Sequence, residues 1–187
     1  MKIVVRLSHR KAAFIYPIPP APPTAVLVPW FGSHGAVRVF HRGWDAEAEA
    51  YRPAAIAGTW RQMDSLLSHK SVPLTHALIV LVRLADSRLT DSLMTDALMT
   101  MEQRRQLWQA FRVPVFEQIV GANGALLAAE CEAHAGLHIQ SPGSKFAGWS
   151  IESGPCGCGR ATPRIGVEKQ TDEKQTEKRR AAAASAF

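Results

Sequence analysis

The sequence predicts an α/β fold, a small mixed sheet with two main helices held between disordered tails. Short valine-rich runs bounded by glycine and proline alternate with stretches whose apolar residues recur every three or four positions. The 187 residues are 47% hydrophobic and 20% charged, enough apolar mass for one buried core. The two ends depart from that composition, one being proline-rich and the other charged.

Taken in order, residues 1–23 carry Lys2, Arg6, Arg10 and Lys11 without an acid, then five prolines in Tyr16-Pro-Ile-Pro-Pro-Ala-Pro-Pro23. Such a stretch favours polyproline II and reads as a poorly ordered arm. Ala25–Val28 and Ala36–Phe40 read as strands, separated by Pro29-Trp-Phe-Gly-Ser-His-Gly35. Pro53 suits the first turn of a helix, with Ile56, Trp60, Met63, Leu66 and Leu67 on one face. That helix is expected to end near His69-Lys70, where cations suit its negative pole. Thr75–Ala85 reads as a buried strand, although its length also permits a helix.

Asp91-Ser-Leu-Met-Thr95 repeats at once as Asp96-Ala-Leu-Met-Thr100, a local duplication rather than a solenoid. Thr100 and Gln103 have capping-box spacing, so a helix is expected over 101–111 with Leu107, Trp108 and Phe111 facing the core. Val113–Val120 reads as a strand ending in the turn Gly121-Ala-Asn-Gly124. Residues 125–132 read as a short helix, with a second strand as the alternative. From residue 167 onward there is no apolar stripe to bury, so 167–187 reads as a solvated tail. One domain is therefore expected over 24–166.

Composition excludes several classes of function. The longest apolar run, His76–Val82, is broken by Arg83, far short of the ~20 residues of a membrane helix. Ser8, His9, Arg10 and Lys11 interrupt the N-terminus before the ~7–15 apolar residues of a secretory signal can accumulate. The net charge of +6 sits mainly in the arm; residues 23–166 hold 13 bases and 12 acids. No basic patch interleaved with aromatics appears, which argues against nucleic acid as a partner. Three cysteines form no disulfide framework and predict a reducing, cytoplasmic setting.

The chemistry gathers between Cys131 and Cys158, the window that holds every cysteine of the chain. Cys131-Glu-Ala-His134-Ala-Gly-Leu-His138 gives Cys-x2-His-x3-His, and Cys156-Gly-Cys158 follows between glycines. Thiolate and imidazole suit tetrahedral zinc, and a structural site takes four protein ligands. The expected set is Cys131, His138, Cys156 and Cys158, since Gly136 supplies a bend that returns His138 toward Cys131; His134 is the alternative. Reduced thiols beside ordinary histidines are the plainer reading. Glu130 and Glu132 would serve a catalytic ion as general base, but solvated carboxylates explain them equally well. Ser33-His34 and Thr75-His76 lack a third orienting group, and Trp30, Phe31 and Trp44 read more simply as packing than as a pocket.

Four stretches carry a resemblance: Pro114-Val-Phe-Glu-Gln-Ile-Val-Gly121, Leu126-Leu-Ala-Ala-Glu-Cys-Glu-Ala-His134, Gly136-Leu-His-Ile139 and Cys156-Gly-Cys-Gly-Arg-Ala-Thr-Pro-Arg164. Together they resemble phenylacetate-CoA ligase-like proteins, adenylate-forming enzymes that include the coenzyme F390 synthetase-like branch. The resemblance spans residues 100–166 or so and implies a zinc ion held by Cys131, a histidine and the Cys156/Cys158 pair. It also implies parts that this chain lacks. No Gly/Ser/Thr-rich phosphate loop followed by lysine occurs. At Val120-Gly-Ala-Asn-Gly124, valine stands for the aromatic and Gly124 for the acid of a Tyr-Gly-x-x-Glu motif. The charged tail stands where a mobile lid would follow Arg164. The expectation is a non-catalytic small protein with a structural zinc ion and an unidentified protein partner. The alternative is an accessory or remnant ligase-like protein that binds an acyl or nucleotide ligand.

Overall fold

A computed structural model describes residues 10–16, 22–68, 78–85, 98–121, 123–141, 146 and 149–166, with residues 78–85 described by their backbone. Among them the chain runs β1 (Thr24–Val26), β2 (Val37–Val39), α1 (Ala46–Tyr51), β3 (Ala55–Gly58), α2 (Trp60–Leu67), β4 (Leu78–Ala85), α3 (Met101–Phe111) and β5 (Val115–Gly121). It continues through β6 (Leu126–Glu130), β7 (Leu137–Ile139), β8 (Ile151–Glu152) and β9 (Arg164–Ile165). The nine strands form one mixed sheet in the order β2-β1-β3-β4-β5-β6-β7-β9-β8. Pairing is parallel from β2 to β5 and antiparallel from β5 to β8. The α/β class expected from the sequence is the one observed, and residues 91–97 of the 91–100 repeat lie outside the described residues.

Strand alternation sorts the core onto the two faces of the parallel half. Ala25, Leu27, Ile56 and Val115 meet Ala48 of α1, Met63 and Leu66 of α2, and Leu107 of α3. On the other face Val26, Val28, Ala55, Ala57 and Val120 pack with Ala12, Phe14 and Tyr16. Residues 10–16 are thus part of the fold rather than of a free arm. The Ala13 amide donates to the Gly124 carbonyl (2.9 Å) and the Gly32 amide to the Arg10 carbonyl (2.9 Å). Gln118, buried in β5, takes the Ile15 amide on its Oε1 and returns a bond to the Ile15 carbonyl. Apolar residues at 12, 14 and 16 supply the burial that offsets ordering the segment.

Two expected elements differ. Pro53 does not open a helix: Ala55–Gly58 is a central strand buried on both faces, and the helix starts after Thr59. A strand enclosed by parallel neighbours shows no alternation, which hides it from periodicity. Ile56 belongs to that strand, whereas Trp60, Met63, Leu66 and Leu67 do pack against the helical-face core. Gln62 fixes the boundary, accepting the Thr59 amide (2.8 Å) and donating to the Leu27 carbonyl (2.6 Å). The short α1 precedes it, with Asp45 accepting from the Glu47 and Ala48 amides. Residues 126–130 form β6, not a helix, because they pair with β5 and β7 on both sides. The capping box of Thr100 and Gln103 forms as its spacing predicts, and α3 buries Leu107; Trp108 is 49% exposed.

Candidate metal centre

Two hairpins build the site. Cys131 follows β6 directly, in a turn closed by the His134 amide on the Cys131 carbonyl (3.0 Å). Gly136 then leads into β7 at φ +100°, and a Cβ there would sit 2.4 Å from the Ile165 carbonyl oxygen of β9. Only glycine tolerates that conformation and that approach. His138 stands mid-β7, opposite Ala129 of β6 and Arg164 of β9. Cys156 and Cys158 lie in the β8–β9 turn, held by Cys156 N–H to the Arg160 carbonyl (2.9 Å) and Gly159 N–H to the Cys156 carbonyl (2.8 Å). Pairing of β7 with β9 lays this turn beside the first.

The result brings one ligand atom from each of Cys131, His138, Cys156 and Cys158 within 4.8 Å of all the others. Cys131 Sγ and Cys156 Sγ are 3.7 Å apart, and Cys158 Sγ lies 3.4 Å from His138 Nε2. With bonds of about 2.3 Å to sulfur and about 2.0–2.1 Å to nitrogen, a tetrahedral zinc site has S···S and S···N edges of about 3.8 and 3.6 Å. These two separations match two edges of such a polyhedron; a disulfide would need about 2.05 Å.

Electrostatics divide the thiols. Burial pushes Cys131 up to about 11, against the lowering effect of a hydrogen bond from the Ala133 backbone. Cys156 is drawn down to about 6, first by the Cys158 backbone N–H and then by His138. A buried thiol held that high stays protonated at neutral pH unless a cation compensates the charge. Divalent metal is such a cation, and its binding would displace the Cys131 proton.

His138 is fully buried, and its Nδ1 lies 2.8 Å from Thr162 Oγ1. Donation from Nδ1–H to that oxygen leaves the Nε2 lone pair facing the sulfurs. Thr162 was not singled out in the sequence; its place two residues before β9 partner Arg164 is set by strand pairing. His134 lies outside the cluster. It takes a left-handed φ of +49°, stacks on Phe116 at 4.9 Å and bonds Glu130 (2.9 Å). Glu130 also accepts two bonds from Arg104 (2.8 and 3.0 Å) and the Glu117 amide (2.9 Å), so its oxygens are committed to structure. Glu132 is exposed.

The remaining sequence candidates are structural or undescribed. Ser33 Oγ accepts the Val39 amide (2.9 Å), His34 Nδ1 meets the Gly32 carbonyl (3.2 Å), and Phe31 is buried. Trp44 packs on the core and Trp30 is half exposed. Thr75-His76 lies outside the described residues.

An open conformation of 2-hydroxyisobutyryl-CoA ligase, solved with 2-HIB-AMP and CoA, matches 80% of this chain at a TM-score of 0.52 and 11% identity. The chain shares the fold of part of a CoA ligase. It spans 45% of that enzyme's length, and the likeness reaches well beyond the 100–166 segment that carries the sequence resemblance. No family model and no curated sequence matches the chain. Among the described residues no helix is long and apolar enough to cross a membrane.

Proposed function

We propose that this chain is a non-catalytic relative of part of an adenylate-forming CoA ligase. In this reading a structural zinc ion on Cys131, His138, Cys156 and Cys158 clamps its C-terminal hairpins. The observation that carries the reading is the gathering of three sulfur donors and one imidazole within 4.8 Å of one another, with S···S and S···N contacts of 3.7 and 3.4 Å. Zinc bound there supplies cross-linking energy, on the order of 10 kcal/mol or more for such sites. The hairpins need it: β7, β8 and β9 have three, two and two residues, and both β8 residues are exposed. A reducing compartment keeps the three thiols available.

Two features favour a structural over a catalytic role. Glu130 is engaged by Arg104, His134 and the Glu117 amide, which commits its carboxylate to structure rather than to base catalysis. At Gly124, where the ligase motif has its acid, φ is +83° and a Cβ would lie 2.2 Å from the Lys11 carbonyl oxygen. A glutamate side chain has no room in this turn while residues 10–16 are docked. A second reading, an accessory protein binding an acyl or nucleotide ligand, draws support from the ligands held by the CoA ligase of like fold.

One set of measurements decides. Elemental analysis of protein purified without added metal is expected to find zinc in stoichiometric amount. A chelator should lower the melting temperature strongly, with Cys156→Ser reproducing the loss. A melt unchanged after complete metal removal overturns the structural role. On metal-loaded protein, ATP–pyrophosphate exchange and an ATP-induced thermal shift are expected to be absent; either signal favours the second reading.

A further inference from the structure

We propose that Cys131 and Cys156 form a peroxide-sensitive dithiol pair, whose closure to a disulfide takes two ligands from the metal and releases it. The inference rests on the metal reading and adds a regulated state to it. Three observations carry it. The two sulfurs come from different hairpins and lie 3.7 Å apart, so forming the bond requires an approach to about 2.05 Å. Both of these sulfurs are buried, whereas Cys158 is half-buried and lies 3.4 Å from His138 Nε2. Gly157, Gly159 and Arg160 are exposed and Cys158 is only half-buried, so a small oxidant reaches the sulfurs through this turn.

The chemistry balances with one peroxide. The Cys156 thiolate attacks a peroxide oxygen, the O–O bond breaks, and a sulfenic acid and hydroxide result. The Cys131 thiolate then attacks that sulfur and expels a second hydroxide. Two thiolates are oxidised and one hydrogen peroxide is reduced. Only Cys158 and His138 remain as protein donors, too few for a closed site. Both states tie the same two hairpins together, one through an ion and the other through a covalent bond.

The test uses full-length protein whose zinc content is first fixed by elemental analysis. Hydrogen peroxide is added stoichiometrically, released zinc is read with a chromophoric chelator, and non-reducing peptide mapping locates any cross-link. The expected result is zinc release in step with a Cys131–Cys156 disulfide, reversed by dithiothreitol and re-added zinc. Cys158→Ser should keep the cross-link, whereas Cys131→Ser should abolish it. Zinc retained through a peroxide excess overturns the proposal, as does release accompanied by sulfinic acid or by a disulfide at Cys158. A preparation that never holds metal refutes the metal reading instead. With no ion to release, the proposal falls together with that reading, and the elemental analysis made first tells this case from a failed cross-link.

Discussion

Thr162 illustrates how a single hydroxyl can orient a candidate metal ligand. Its oxygen lies 2.8 Å from His138 Nδ1, fixing the ring so that Nε2 faces the thiols. Partners of this kind are worth about 10- to 100-fold in metal affinity. Thr162→Val is therefore expected to weaken zinc binding by that factor in a chelator competition, while Thr162→Ser retains most of it. Equal affinity for the valine variant would show that packing alone orients the ring. The choice between the two histidines has the same local character. His138 sits in a strand between paired neighbours, whereas the left-handed backbone at His134 turns its ring onto Phe116 and Glu130.

One helix and two strands meet in the Arg104–Glu130 pair. Arg104 of α3 reaches Glu130 at the end of β6, and the same carboxylate takes the Glu117 amide of β5. Glu130 is buried immediately before Cys131, so the pair steadies the first turn of the Cys/His cluster. Removing one partner of a buried ion pair costs about 3–5 kcal/mol, because the remaining charge is stranded. Arg104→Met is expected to lower stability by that order in urea unfolding, with Glu130→Gln in the same chain restoring part of it. If the double variant were no more stable than Arg104→Met, the pair would not be the source. Element boundaries show the same dependence on neighbours. Thr100 and Gln103 marked the start of α3 because a cap is built from residues three apart. Ala55–Gly58 reads as helix in the sequence and 125–132 is open between helix and strand, because strands are chosen by the partners on either side.

Across the molecule, the sheet carries helices on one face and residues 10–16 on the other. Ala12 is 1% exposed, at the centre of that second cover. A carboxylate placed there would be buried without a partner. Ala12→Asp is expected to loosen the segment and lower the melting temperature; a melt equal to wild type would mean that the segment contributes nothing to the fold. The same segment closes over Gly124, so its docking and the missing acid are one structural fact. The sequence by itself left residues 75–85 open between strand and helix, whereas it determined the α/β class, the α3 cap and the window that holds the sulfur and imidazole donors. Those follow from composition, short-range periodicity and residue types confined to one window. Only the tertiary structure decided which histidine joins the sulfurs, that Thr162 stands behind it, and that 10–16 belongs to the core. Each depends on the β6–β7–β9 register or on packing across the sheet, where partners lie tens of residues apart and local pattern holds no information.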